Sequence, residues 1–170
     1  MKGLKYIRTP RPYERLWKNL YVDKNLEDEW LERLNDLKVF NLISICEGHP
    51  GNGRFSKGSS PHIYLRMKDK FVAPFSQRFG LISDGLYKKL IELFKDRNTI
   101  TDIEYRIKFN TTNCKDCPKR EVVIHIRARK KRASHNMDNS TRKWFIKKII
   151  AVEKFDSFVE SILLNGNQVS

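Results

Sequence analysis

Acidic side chains are scarce in this chain: 20 Asp and Glu stand against 34 Lys and Arg, leaving a net charge of +14 over 170 residues. A domain this basic points toward a polyanionic partner, nucleic acid of some kind. Cysteine is scarcer still, at three positions, Cys46, Cys114 and Cys117. An odd count argues against a disulfide framework, and the start "MKGLKYIRTPRPYERLW" lacks the apolar core of a secretory signal. A reducing, cytoplasmic location is the expectation. No run of about 18 apolar residues occurs, so no membrane span is expected. Glycines number eight, and four of them, at 48, 51, 53 and 58, crowd one stretch, "SICEGHPGNGRFSKGSSPH". The spacing GxxxxGK[ST] is absent there, which excludes a P-loop.

What remains is the composition of a folded domain, 39% hydrophobic and 11% aromatic, long enough to bury a core without covalent or metal staples. Residues 1–12 form a basic arm carrying Lys2, Lys5, Arg8 and Arg11; 13–164 form a single domain; 165–170 fray. "YERLWKNLYV" reads as a short helix. "NLEDEWLERLNDL" is a clearer one, capped by Asn25, with Leu26, Trp30, Leu34 and Leu37 on one face. Its other face holds Glu27, Asp28, Glu29, Glu32 and Asp36, so the acidic helix 26–37 should point away from nucleic acid and could meet a protein partner.

Two strands follow, "FNLISICE" and "HIYLRMK", the second alternating Ile63, Leu65 and Met67 with Tyr64, Arg66 and Lys68. "DKFVAPFSQRFGLI" has no clear period, and Pro74 bars it from a central strand. Ser83 is placed to cap a helix that turns Leu86, Leu90, Ile91 and Phe94 inward. Ile103, Tyr105, Ile107 and Phe109 then alternate in a strand whose partner, "EVVIHIRARKKR", alternates Val122, Ile124 and Ile126 with His125, Arg127 and Arg129. A last helix runs from about Thr141 to Leu163. The expectation is an α+β fold ordered helix–hairpin–helix–hairpin–helix, an antiparallel sheet with its helices packed on one face.

Alternate residues of a strand share a face. Arg66, Lys68, Arg106, Lys108, Arg127 and Arg129 therefore gather on the side of the sheet away from the core, beside Tyr64, and Lys130, Lys131 and Arg132 continue the charge into a linker. Such a surface suits RNA or DNA phosphates, and Tyr64 suits an unpaired base.

Cys46-x-x-His49 and Cys114-x-x-Cys117 make four soft ligands, the complement of a closed tetrahedral zinc site. Each pair lies in a hairpin loop, so the site requires both loops at one end of the sheet. A simple crossover would put them at opposite ends. The competing reading is an enzyme, a metal-dependent nuclease or other nucleic-acid- or nucleotide-processing activity centred on Cys46, Glu47 and His49. "GNGRFSKGSS" adds flexible backbone N–H groups with Arg54 and Lys57, the parts of a phosphate-binding loop.

The order of elements is similar to that of LAGLIDADG homing endonucleases, which lay a basic saddle-shaped sheet in the DNA major groove. Their defining motif is absent, and Glu47 is the position that would take the metal-binding part. "SICEGH" resembles, over six residues, a strand end of the wybutosine-synthesis methyltransferases that act on tRNA.

Overall fold

In the computed structural model the structure describes residues 9–49, 58–109, 118–129 and 137–165, the side chains of 105–109 and 118–119 excepted. The chain is a mixed α+β protein with two antiparallel sheets and three helices. It begins with a two-stranded ribbon, β1 (Glu14–Trp17) and β2 (Leu20–Asp23), followed by helix α1 (Asp28–Asn35). Strands β3 (Phe40–Cys46) and β4 (His62–Met67) lead into helix α2 (Asp69–Phe94). Strands β5 (Thr99–Phe109) and β6 (Pro118–Ala128) precede helix α3 (Asn139–Leu164). The larger sheet is ordered β3-β4-β6-β5, so the two hairpins meet along β4 and β6.

The alternation read from the sequence places one face of this sheet in the core. Ile63, Leu65 and Met67 of β4 and Val122, Ile124 and Ile126 of β6 are all buried. They join Phe71, Phe75, Leu86, Leu90 and Phe94 of α2, and Phe145, Ile149, Val152, Phe155 and Val159 of α3. Two polar devices tie α3 to the sheet. The buried Asp156 carboxylate accepts from the backbone N–H groups of Lys38, Val39 and Phe40 at 2.8, 2.9 and 3.1 Å. Lys148, with 0% of its side chain exposed, pairs with Asp96 in the α2–β5 turn at 2.5 Å.

Three sequence expectations are corrected. "YERLWKNLYV" is the β1–β2 hairpin, not a helix; the chain reverses at Lys18, whose φ of 50° lies in the left-handed region. Ser83 caps nothing, because α2 runs unbroken from Asp69 through 26 residues. Pro74 lies inside that helix: it cannot donate to the Lys70 carbonyl, yet burial of Phe71, Val72 and Phe75 holds the turn together. Asn25 does not cap α1 either; Glu27 takes that place, and the Asn25 amide is used elsewhere. Among the described residues no helix is long and apolar enough to cross a membrane.

Candidate functional site

The face of the large sheet away from the core carries a row of rings. Register pairs Cys46 with His62 and Ser44 with Tyr64 across β3–β4. It pairs His62 with Arg127 and Tyr64 with His125 across β4–β6. Paired residues share a face, so these side chains converge. The His62 and Tyr64 rings stack at 4.3 Å between centroids, and Tyr64 meets His125 at 4.4 Å. Ser44 Oγ lies 3.1 Å from His62 Nε2, and the Ser60 carbonyl 3.0 Å from His62 Nδ1. Burial lowers the pKa of His62 from its ordinary value, the Ser60 carbonyl opposing. The result is a half-buried aromatic floor spanning the seam between the two hairpins.

The cations expected on this face divide. Arg127 is 44% exposed at its rim and pairs with Asp102 at 3.1 Å. Arg66, 40% exposed, lies 3.6 Å from Glu121, and Glu104 stands 3.8 Å from His125 Nε2. Acids on β5 and β6 thus balance part of the charge that the alternation of β4 and β6 alone suggested. Lys68 leaves the face: it follows β4 as the residue that opens α2, and its ammonium donates to the Leu37 carbonyl at 2.6 Å. Arg129 follows the end of β6 and lines a groove of about 410 Å³ beside Tyr87 and Ile91 of α2. Arg106 and Lys108 occupy β5 positions opposite Glu121 and Lys119, with side chains outside the described residues. Lys130, Lys131 and Arg132 lie outside them altogether, as do most of the N-terminal arm and the glycine-rich segment with Arg54 and Lys57. Toward the Met67 end the same face buries Glu121 and Val123. The accessible part is therefore the end near Cys46, His62 and Arg127.

At that end β2 comes alongside β3 and brings Asp23, which sequence reading missed. Asp23, Cys46 and His49 each place one ligand-type atom within 4.8 Å of the other two. Asp23 Oδ1 accepts from His49 Nε2 at 2.8 Å, and Oδ2 accepts from the Glu47 N–H at 2.6 Å. The His49 ring packs on Tyr13 at 4.2 Å. Gly48 makes the turn between Cys46 and His49 with φ +93°, where an added Cβ would stand 2.8 Å from Pro61 Cδ. His49 and Ser59 then exchange backbone hydrogen bonds at 2.9 and 3.0 Å, closing the base of the loop. The Gly48 N–H points at Cys46 Sγ from 3.3 Å, and Ser59 Oγ lies 3.5 Å from the same sulfur.

Burial, reinforced by the Asp23 charge, pushes the Cys46 thiol up to about 12. Without a cation it is no nucleophile at neutral pH. Glu47, buried and bonded by the Asn25 amide at 3.0 and 3.1 Å, is raised to about 7, with burial the largest cause.

The four-ligand zinc set is not assembled by the described strands. Cys114 and Cys117 lie outside the described residues, but Pro118, bonded to Cys117, begins β6 at the end of the sheet opposite His62. Pro118 and Arg127 are separated by about 30 Å, at ~3.3 Å per residue. The crossover through α2 puts the β3–β4 connection and the start of β6 at opposite ends of the sheet. The acidic helix is also less free than its composition suggests. Asp28 pairs with Arg15 at 2.5 Å, Glu32 with Lys18 at 2.7 Å, and Glu27 with Arg142. Compared with protein-family models, curated proteins and solved structures, the chain matches none.

Proposed function

We propose that the protein binds single-stranded nucleic acid on the accessible end of its four-stranded sheet. The observation that carries this reading is the His62–Tyr64–His125 row, three rings in contact on one face with Arg127 at its rim. Unstacked bases accept any flat ring as a neighbour, and each such contact contributes about 1–3 kcal/mol. A duplex hides those faces and would find little here. The net charge of +14 supplies the long-range attraction to phosphates.

Fluorescence anisotropy with labelled single-stranded RNA, single-stranded DNA and a duplex of the same sequence tests it. Single strands should bind tighter than the duplex. Tyr64→Ala should weaken them by about 5- to 150-fold, the equivalent of 1–3 kcal/mol. Arg127→Ala should lower the slope of log affinity against log salt by about 1. Equal binding of duplex and single strand, with Tyr64→Ala unchanged, would remove the ring platform from the reading.

A second reading, a metal-dependent enzyme acting on the bound strand, is favoured by one observation: Cys46 and His49 border the platform, with the buried Glu47 between them in sequence. Divalent-cation-dependent cleavage of an oligonucleotide that Glu47→Gln abolishes, with folding intact, would establish it.

A further inference from the structure

The platform accounts for His62, Tyr64 and His125 but leaves the neighbouring Asp23–Cys46–His49 group without a use. We propose that these three side chains bind one zinc-class divalent cation, at a centre that takes no ligand from Cys114 or Cys117. One carboxylate oxygen, one sulfur and one imidazole nitrogen are a donor set suited to zinc, and they lie within 4.8 Å of one another. The Asp23–His49 contact is bridged by a single proton at 2.8 Å. A cation takes the place of that proton with a modest opening of the pair.

Charge supports the assignment. Asp23 is 4% exposed and His49 13% at the side chain. A divalent ion with one carboxylate, one thiolate and one neutral imidazole is electrically balanced, which a poorly hydrated site requires. The surroundings of the sulfur are those of a thiolate ligand. The Gly48 N–H and the Ser59 hydroxyl both approach Cys46 Sγ, at 3.3 and 3.5 Å, and such donors orient and tune metal-bound thiolates. Asp23 is itself held by the Glu47 N–H, and the His49 ring is fixed against Tyr13. The three donors come from the end of β2, the end of β3 and the bridged base of the β3–β4 connection, so the framework is built before any ion arrives.

Three protein ligands leave the fourth tetrahedral position to water or to an oxygen of a bound molecule, the arrangement of an open rather than a closed zinc site. Cys46 shares its sheet face with the rings of the platform, so that position belongs to the same end of the molecule.

The test uses the full-length, untagged chain. Elemental analysis should find one zinc per chain, removable by chelator. Cobalt titrated into the stripped protein should give a near-ultraviolet thiolate-to-cobalt absorption with a one-to-one end point. Cys46→Ser should abolish that band. Asp23→Asn, which keeps the shape and can still accept from the Glu47 N–H, should weaken cobalt binding by about tenfold or more with an unchanged circular dichroism spectrum. The double variant Cys114→Ser/Cys117→Ser should retain both band and stoichiometry. The proposal is overturned if wild type gives no thiolate band, if the band survives Cys46→Ser, or if the double variant abolishes it. Oligonucleotide binding by the stripped protein is measured separately, so loss of the metal centre and loss of the ring platform are distinguishable.

Discussion

Replacing Asp96 by Asn should destabilise the protein far more than replacing its partner Lys148 by Met. The two residues form one ion pair at 2.5 Å, but its ends are unequal: the Lys148 side chain is 0% exposed and the Asp96 side chain 22%. Burial lowers the Lys148 pKa, and the Asp96 hydrogen bond and charge oppose that effect. On Asp96 burial works upward, but hydrogen bonds from Lys148, Thr99 and the Asn98 N–H outweigh it and hold the carboxyl below its usual range. Asp96→Asn strands a charge in the core, which costs about 3–5 kcal/mol. A ceiling exists, because the ammonium can instead release its proton. From an ordinary lysine value of about 10.4, release costs about 4.6 kcal/mol at pH 7 and about 1.9 at pH 9. The folded variant then holds fewer protons than its unfolded chain, so its deficit shrinks as pH rises.

Lys148→Met leaves Asp96 with solvent, the Asn98 N–H at 2.8 Å and Lys147 at 3.4 Å, for a loss of about 1–2 kcal/mol. At ~2–4 °C per kcal/mol for a chain of this size, Asp96→Asn should lower the melting temperature by about 6–20 °C at pH 7. Urea unfolding followed by circular dichroism at pH 7 and 9 measures both effects. Equal losses in the two variants, or an Asp96→Asn deficit that ignores pH, would refute the reasoning.

Two further outcomes follow from single side chains. Asp156→Ala should cost about 3 kcal/mol, since it leaves the N–H groups of Val39 and Phe40 buried without their carboxylate; Asp156→Asn should recover part of this in the same urea assay. Gly48→Ala should cost about 2 kcal/mol, from the φ of +93° and the 2.8 Å approach to Pro61 Cδ. Because the turn sets Cys46 against His49, it should also weaken cobalt binding in the spectroscopic titration.

The core was legible wherever a period ran long enough to show. The alternation Ile63–Leu65–Met67 and Val122–Ile124–Ile126 is buried, as is the helical stripe Phe145, Ile149, Val152, Phe155 and Val159, while Ile162 at its end is only partly buried. The ribbon was not legible, because strands of four residues offer too little alternation, and Leu16, Trp17, Leu20 and Tyr21 fit a helical period as well. In α2 the spacing of Phe71, Phe75, Phe79 and Ile82 is helical; Pro74 obscured it, though burial on both sides of a proline can outweigh one missing hydrogen bond. Tyr64 and Arg127 could be placed on one face from sequence alone. Their acidic neighbours Asp102 and Glu121 could not be paired with them, since cross-strand register is not local information. Asp23 carried no signal, being brought to Cys46 only by the packing of β2 beside β3.

The strand order has a consequence for how the protein acquires its shape. Each hairpin, β3–β4 and β5–β6, closes through contacts local to itself, whereas the β4–β6 seam joins positions as distant as Ile63 and Ile126. Long-range pairing of this kind is intrinsically slow to form. The ring row straddles that seam, His62 and Tyr64 on one hairpin and His125 on the other. Neither hairpin alone presents a complete surface. A ligand seated across the row therefore favours the docked arrangement by mass action, adding its binding free energy to the junction between the two hairpins.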